Sequence, residues 1–235
     1  MQKHDIPANS EGILTIRYRV SSNFRRENAS NGFNVNLQQP PYSNGINDTG
    51  DDAVSSFTYV RAVDSGDAPA SYGSAMHEID VFKDAVTGDY RNYVFLGSKV
   101  DPDSTAIFSA EAEGDDNSEG DDEEGILFPD LIRGETALIP VIVTVHEPGY
   151  GSLNGWIDWN GDGDFIDAGE KITGRVTLFQ SDTIQLKIPV PVDAITGRPT
   201  YARFRFGDNV AVPGKIPNGW GEAEDYRITI LEKRN

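Results

Sequence analysis

The apolar residues of this chain come in short runs, many of them alternating, and each run is cut off by Gly, Asn, Asp or Pro before a helical period can establish itself. That punctuation predicts strands at residues 13–20, 32–38, 55–63, 90–97, 137–146, 154–159, 182–190, 200–206 and 225–232. Val, Ile, Thr, Tyr and Phe dominate these runs, and such side chains pack well on a pleated surface. The expected fold is all-β: an antiparallel β-sandwich, Ig-like or jelly-roll-like, with two packed β units. The expected division is a partial sandwich or strand-exchange segment at 1–63, an acidic lead-in with short strands at 64–125, and a sandwich domain at 126–235.

Two stretches resist the strand reading. Residues 101–125, DPDSTAIFSAEAEGDDNSEGDDEEG, are too acidic and too poor in apolar side chains to form a core segment alone, and residues 207–221 read as loop from their Gly and Pro content. Hydrophobic residues at 37% and aromatics at 10% still suffice for a core, which argues against disorder throughout. Lys and Arg number 20 against 38 Asp and Glu, a net charge of −18. Charge of that sign disfavours nucleic acid and anionic lipid and makes cations the natural partners, although surplus acid also serves solubility alone. The absence of cysteine excludes disulfides, zinc thiolate sites and cysteine nucleophiles. No apolar run reaches the roughly 18 residues of a membrane helix, so no membrane insertion is expected. The opening MQKHDIPANSEG has no apolar core like that of a signal peptide, so an export signal would be one already removed or located elsewhere.

A weak internal repeat adds to the organisation. IPANSEGILTIRYRV at 6–20 resembles VPVDAITGRPTYARFRF at 190–206, with Gly12, Arg17 and Arg19 matching Gly197, Arg203 and Arg205. The front copy then lacks its first strands, and an incomplete sandwich exposes apolar edges. The missing strands are expected from residues 64–100 or from another molecule. Chance recurrence of short Arg-bearing strands is the alternative.

Residues 156–170, WIDWNGDGDFIDAGE, carry the chemistry. DWNGDGDF fits the first half of an EF-hand loop: Asp158, Asn160 and Asp162 supply oxygen at positions 1, 3 and 5, and Gly163 takes the sharp turn at position 6. Position 12 would be Gly169, with Glu170 one residue late, and the flanks are strand-like, so only the ligand geometry is borrowed. Hard carboxylate and amide oxygens select Ca²⁺ over thiolate and imidazole metals. The expected ligands are Asp158, Asn160 and Asp162 by side chain and Asp164 by side chain or carbonyl, with Asp167 or Glu170 closing the shell. A plain Asn-Gly, Asp-Gly hairpin turn is the alternative.

This loop, followed by the VPVDAITGRPTYARFRF strand and GWGEAEDYRITI, resembles the GEVED domain of secreted and surface bacterial proteins, whose motif stands here as GEAED at 221–225. The upstream SGDAPASYG, HEID, LGSKVDPD and EGDDNSEGDDEEGILFP are similar to the acidic lead-in found before that domain, so the resemblance covers roughly residues 64–232. Ala223 stands where the family pattern has Val. The resemblance implies a β-sandwich module of exported multidomain proteins, extracellular or at the cell surface, with no settled enzymatic activity. It also implies that Asp158, Asn160, Asp162 and Asp164 are the first candidates for metal ligation, with Glu222, Glu224 and Asp225 near them. The competing expectation for those last three is structural: pairing with Arg203 and Arg205 across adjacent strands.

Asp115, Asp116, Asp121, Asp122, Glu123 and Glu124 form either a solvated acidic loop or a second calcium site. Asn28 and Asn47 sit in glycosylation sequons, NAS and NDT. Catalysis is not expected: His4, His77 and His146 are scattered, HEID lacks the second His of HExxH, and no GxSxG or phosphate loop occurs. Trp156, Trp159, Trp220, Tyr150, Tyr201 and Tyr226 would suit a glycan platform, yet Trp156 and Trp159 have opposite strand parity, so at least one of them faces the core. The leading expectation is a calcium-stabilised structural protein that self-associates head to tail by β-strand exchange, and the alternative is an adhesin module that binds surface glycans.

Overall fold

A computed structural model describes residues 63–79, 93–100, 108–114, 124–174, 176–208, 210–214 and 219–234, together with the backbone of strands at 31–36, 53–58, 81–83 and 90–92. The expected strand at 13–20, the front copy of the repeat, both sequons and Asp115, Asp116, Asp121, Asp122 and Glu123 lie outside the described residues. In chain order the strands are β1 (Asn31–Asn36), β2 (Ala53–Thr58), β3 (Val63–Gly66), β4 (Ala75–Glu78), β5 (Val81–Lys83), β6 (Tyr90–Asn92), β7 (Val94–Leu96), β8 (Leu131–Ile132), β9 (Thr136–Val145), β10 (Gly151–Ile157), β11 (Val176–Leu178), β12 (Asp182–Pro189), β13 (Pro199–Gly207) and β14 (Gly221–Leu231). The fold is all-β, as expected, and among the described residues a single 3-10 turn at Ala70–Tyr72 breaks the pattern.

Two sheets form the sandwich. One runs β11-β10-β13-β14-β8, antiparallel except for the short parallel pair of β14 with β8, and the other runs β12-β9-β7. Strand β9 shows why: its even spacing sends Ala137, Ile139, Val141, Val143 and Val145 to the core, and the residues between them point away. Leu153, Ile157, Ala202, Phe204, Phe206, Ile228 and Ile230 of the larger sheet meet Leu96, Ile139, Val141, Leu186 and Ile188 of the smaller. Pro140 is tolerated in β9 because its carbonyl accepts the Leu127 N–H at 3.0 Å, so its missing N–H falls on the side where β7 has already ended.

The larger sheet is covered on its other face as well. Every residue of β10 is buried, and Arg203 and Arg205, which alternate with Phe204 and Phe206 on β13, are fully buried. The cover is the β3–β4 hairpin with the 3-10 turn inside it. It is held to β13 and β14 by side chains: Asp64 accepts the Ala223 N–H at 2.6 Å, and Arg205 donates to His77 at 2.8 Å. Residues 63–66, 75–78 and 94–96 are thus committed to the sandwich that holds β9–β14, through the hairpin and through β7 in the smaller sheet. Strands β1 and β2 pair with each other.

Where β13 hands over to β14, Gly207 and Gly221 are direct cross-strand partners with φ of 151° and 141°. A Cβ on Gly207 would lie 2.2 Å from the Trp220 carbonyl oxygen, and one on Gly221 would lie 2.2 Å from that of Phe206. Glycine is required here by close backbone approach.

Candidate metal centre

The chain leaves β10 at Ile157 and returns alongside it: Ile157 N–H donates to the Glu170 carbonyl at 2.9 Å, and Trp156 bridges Lys171. Residues 158–170 therefore form a loop closed at its neck. Trp159 pins one side, donating through Nε1 to the Gly169 carbonyl at 3.1 Å while its ring enters the main core. Phe165 pins the other, packing with Tyr72, Trp156 and Ala68 in a second apolar cluster on the outward face of the sheet. The opposite parity of Trp156 and Trp159 thus places both in apolar clusters, on opposite faces of one sheet.

Asp158 is fully buried at the base of the loop. Its Oδ1 accepts the Gly161 N–H at 2.5 Å, and its Oδ2 accepts the Gly163 N–H at 3.1 Å and the Tyr72 hydroxyl at 2.6 Å. Gly161 and Gly163 turn back onto this carboxylate with φ of 70° and 98°, in the left-handed region that side chains disfavour. Burial, then the bond to Asp158, pushes the Tyr72 hydroxyl well above its usual range, so it remains a protonated donor.

Above Asp158, Asn160 accepts the Asp162 N–H at 2.9 Å and turns its amide nitrogen to the carboxylates of Asp162, at 3.1 Å, and Asp167, at 2.6 Å. Asp164 accepts the Ile166 N–H at 3.0 Å and shapes the local turn. Glu170 is buried, and its Oε2 accepts the Asp167 N–H at 2.9 Å. Its Oε1 is buried with no hydrogen-bond partner. Burial foremost, then the charges of Asp158, Asp167 and Asp162, push the Glu170 carboxyl up to about 7, although the Asp167 amide opposes the rise.

One carboxylate oxygen each from Asp158, Asp162 and Glu170 lie within 4.8 Å of one another. Calcium binds oxygen at about 2.3–2.6 Å, so two of its ligands stand at most about 5 Å apart, and all three oxygens fit around one such ion. The orphaned Glu170 oxygen, buried among like charges, fits the same arrangement, because a buried carboxylate without a donor is costly unless a cation meets it. The structure thus brings together Asp158, Asp162 and Glu170 of the six expected residues, links Asn160 and Asp167 to them by hydrogen bonds, and points the Asp164 carboxylate at the Ile166 amide.

The other acids do different work. Glu124 accepts from the backbone and hydroxyl of Ser98. Asp225 takes Arg203 in a two-bond pair, Nε to Oδ1 and Nη2 to Oδ2, each 2.7 Å. Glu222 and Glu224 lie opposite Phe206 and Phe204 in register, so they share the inner face and point away from both arginines. Instead Glu222 accepts the Leu96 N–H, Glu224 accepts the Gly125 N–H at 3.0 Å and the Tyr226 hydroxyl at 2.8 Å, and Asp225 accepts the Ala68 N–H at 2.8 Å. The expected pairing with strand-borne arginine therefore holds for Asp225 alone. All three motif acids clamp backbone amides of the preceding segment. Sequence reading missed these partners and Tyr72, which lies 86 positions before Asp158 with no local motif to announce it.

A two-sheet antiparallel sandwich with a carboxylate-lined loop at the end of β10 is the class of module these features define. Residues 152–229 match the family model of the GEVED domain, a stretch that includes both the loop and the clamping acids. No curated protein matches the chain.

Proposed function

We propose that this chain is a non-catalytic structural component of an extracellular or cell-surface assembly, stabilised by Ca²⁺ held in the 158–170 loop. The observation that carries the reading is the meeting of Asp158, Asp162 and Glu170 oxygens around one point, with a buried Glu170 oxygen that has no donor. A divalent ion there neutralises carboxylates that otherwise repel, and an ion that binds only the folded state adds to its stability. A non-catalytic role is supported by His77, a buried imidazole that accepts from Arg205. Head-to-tail association by strand exchange is the assembly mode we favour. It is supported by β12, an eight-residue strand that among the described residues lies at the outer edge of its sheet, a position that can accept another strand.

Titration calorimetry with Ca²⁺, combined with sedimentation in Ca²⁺ and in EDTA, tests this reading. We expect binding and calcium-dependent assembly, whereas a discrete monomer indifferent to chelation overturns it. The glycan-binding alternative is favoured by one observation: Tyr150 and Phe179, 44% and 70% exposed, stack at 5.9 Å between centroids, with Trp220 edge-on to Tyr150 at 5.6 Å. Sugar binding that is lost in Phe179→Ala would move the assignment there.

A further inference from the structure

The covering turn at Ala70–Tyr72 is held from two sides. On the sheet side, Arg203 donates to the carbonyls of Tyr72 at 3.1 Å and Gly73 at 3.0 Å, while Asp225 holds Arg203 and the Ala68 N–H. On the loop side, the Tyr72 hydroxyl is bonded to Asp158, and the Tyr72 ring lies 4.7 Å from that of Phe165. The sheet side involves none of the three clustered carboxylates. The loop side is built on one of them.

We infer that cation occupancy of the loop controls how firmly the Ala70–Tyr72 turn docks on the sandwich, with Tyr72 as the positioning residue that couples the two. This rests on the calcium reading above. When the three carboxylates share an ion, Asp158 stays over its two glycine amides and presents Oδ2 to Tyr72. Without the ion, repulsion among Asp158, Asp162 and Glu170 favours a wider loop. Phe165 then shifts with the loop and the Asp158 carboxylate turns relative to Tyr72, while the Asp158 backbone stays bonded to Tyr201 and Thr200 of β13 and Arg203 and Asp225 do not move. Linkage requires the reverse effect: a docked turn, by fixing Asp158, raises cation affinity by the same factor. The Ala70–Tyr72 turn is thereby a calcium-responsive flap at the tip of a hairpin that stays fixed to the sandwich through Asp64 and Ala68.

Residue-resolved amide hydrogen exchange on the full chain, in Ca²⁺ and in EDTA, tests the inference. The reporters are the Tyr72 N–H, bonded to the Pro69 carbonyl at 2.9 Å, and the Gly73 N–H, bonded to the Ala70 carbonyl at 3.2 Å. The controls are the Ala68 and Ala223 N–H groups, bonded to Asp225 and Asp64. Chelation should speed exchange at the reporters on the order of tenfold and leave the controls unchanged. In Tyr72→Phe the reporters should lose most of their calcium dependence, and calcium affinity measured by calorimetry should fall several-fold. Calcium binding with unchanged reporters overturns the inference and leaves the calcium reading standing. So does Tyr72→Phe exchange that rises equally with and without Ca²⁺, the outcome for a merely structural tyrosine. Absence of calcium binding overturns both.

Discussion

Arg203 and Asp225 stand directly opposite each other on β13 and β14, joined by two 2.7 Å bonds with both side chains fully buried. Breaking such a pair from one side strands a desolvated charge, at about 3–5 kcal/mol. Asp225→Ala also removes the acceptor of the Ala68 N–H, so we expect a loss at the upper end of that range. Asp225→Asn keeps an acceptor and should lose less. Urea denaturation of the two variants against the parent chain measures both.

Calcium at 100 times its dissociation constant should add about 2.7 kcal/mol to unfolding free energy. Glu170→Gln removes one of the three clustered charges. It should therefore raise stability in EDTA and abolish most of the calcium gain, a reversal of order between the two buffers that thermal unfolding reads directly.

The Glu170 carboxyl also predicts a pH dependence. It is pushed from 4.5 up to about 7 by burial and by neighbouring acids, so the folded chain holds this proton more tightly than the unfolded one. Its contribution is complete below pH 4.5 and is lost as pH rises towards 7. In EDTA the parent should lose stability over that window relative to Glu170→Gln. In Ca²⁺ the trend should invert, because the ion takes the ionised carboxylate.

His77 acts in the opposite sense. Burial, then the charges of Arg205 and Arg203, hold it well below its usual 6.5. The unfolded chain takes up a proton that the folded chain refuses, so this contribution is complete above pH 6.5 and declines as pH falls below it. His77→Gln retains an acceptor for Arg205 and should flatten the acid limb of the stability curve, which separates it from the Glu170 effect.

Either Gly207→Ala or Gly221→Ala should destabilise by at least about 1–3 kcal/mol, since both φ values disfavour a side chain. Each Cβ also meets a carbonyl oxygen at 2.2 Å, and backbone cannot step aside as a side-chain end can. Denaturant midpoints for the two variants check this.

How much of this was legible in the sequence depended on whether the cause was local. Strand β9 could be read from its alternation, because one of its faces is core and the spacing says so. The loop could be read from DWNGDGDF, because Asp158, Gly161 and Gly163 build their turn within six residues. Strands β4, β8 and β11 were not read, since two to four residues carry too little pattern. The alternation Arg-Phe-Arg-Phe on β13 separates the arginines from the phenylalanines but does not tell that the arginine face is covered, and Arg203 and Arg205 are buried. Their cover comes from the hairpin at 63–78, and its grip rests on side-chain bonds to backbone that leave no periodic trace. Strand parity separates Glu222 and Glu224 from Asp225, but the register that sets them opposite Phe206 and Phe204, away from the arginines, comes from the structure.

The grip of Glu222, Glu224 and Asp225 on the amides of Leu96, Gly125 and Ala68 sets where this molecule can be cut. A fragment excised at the family match, from residue 152 onward, would strip the three acids of those donors, lose β9 from the core and expose the outward face of β13 to water. The cloning boundary for a self-sufficient piece therefore lies ahead of Asp64, well upstream of where the recognisable domain begins.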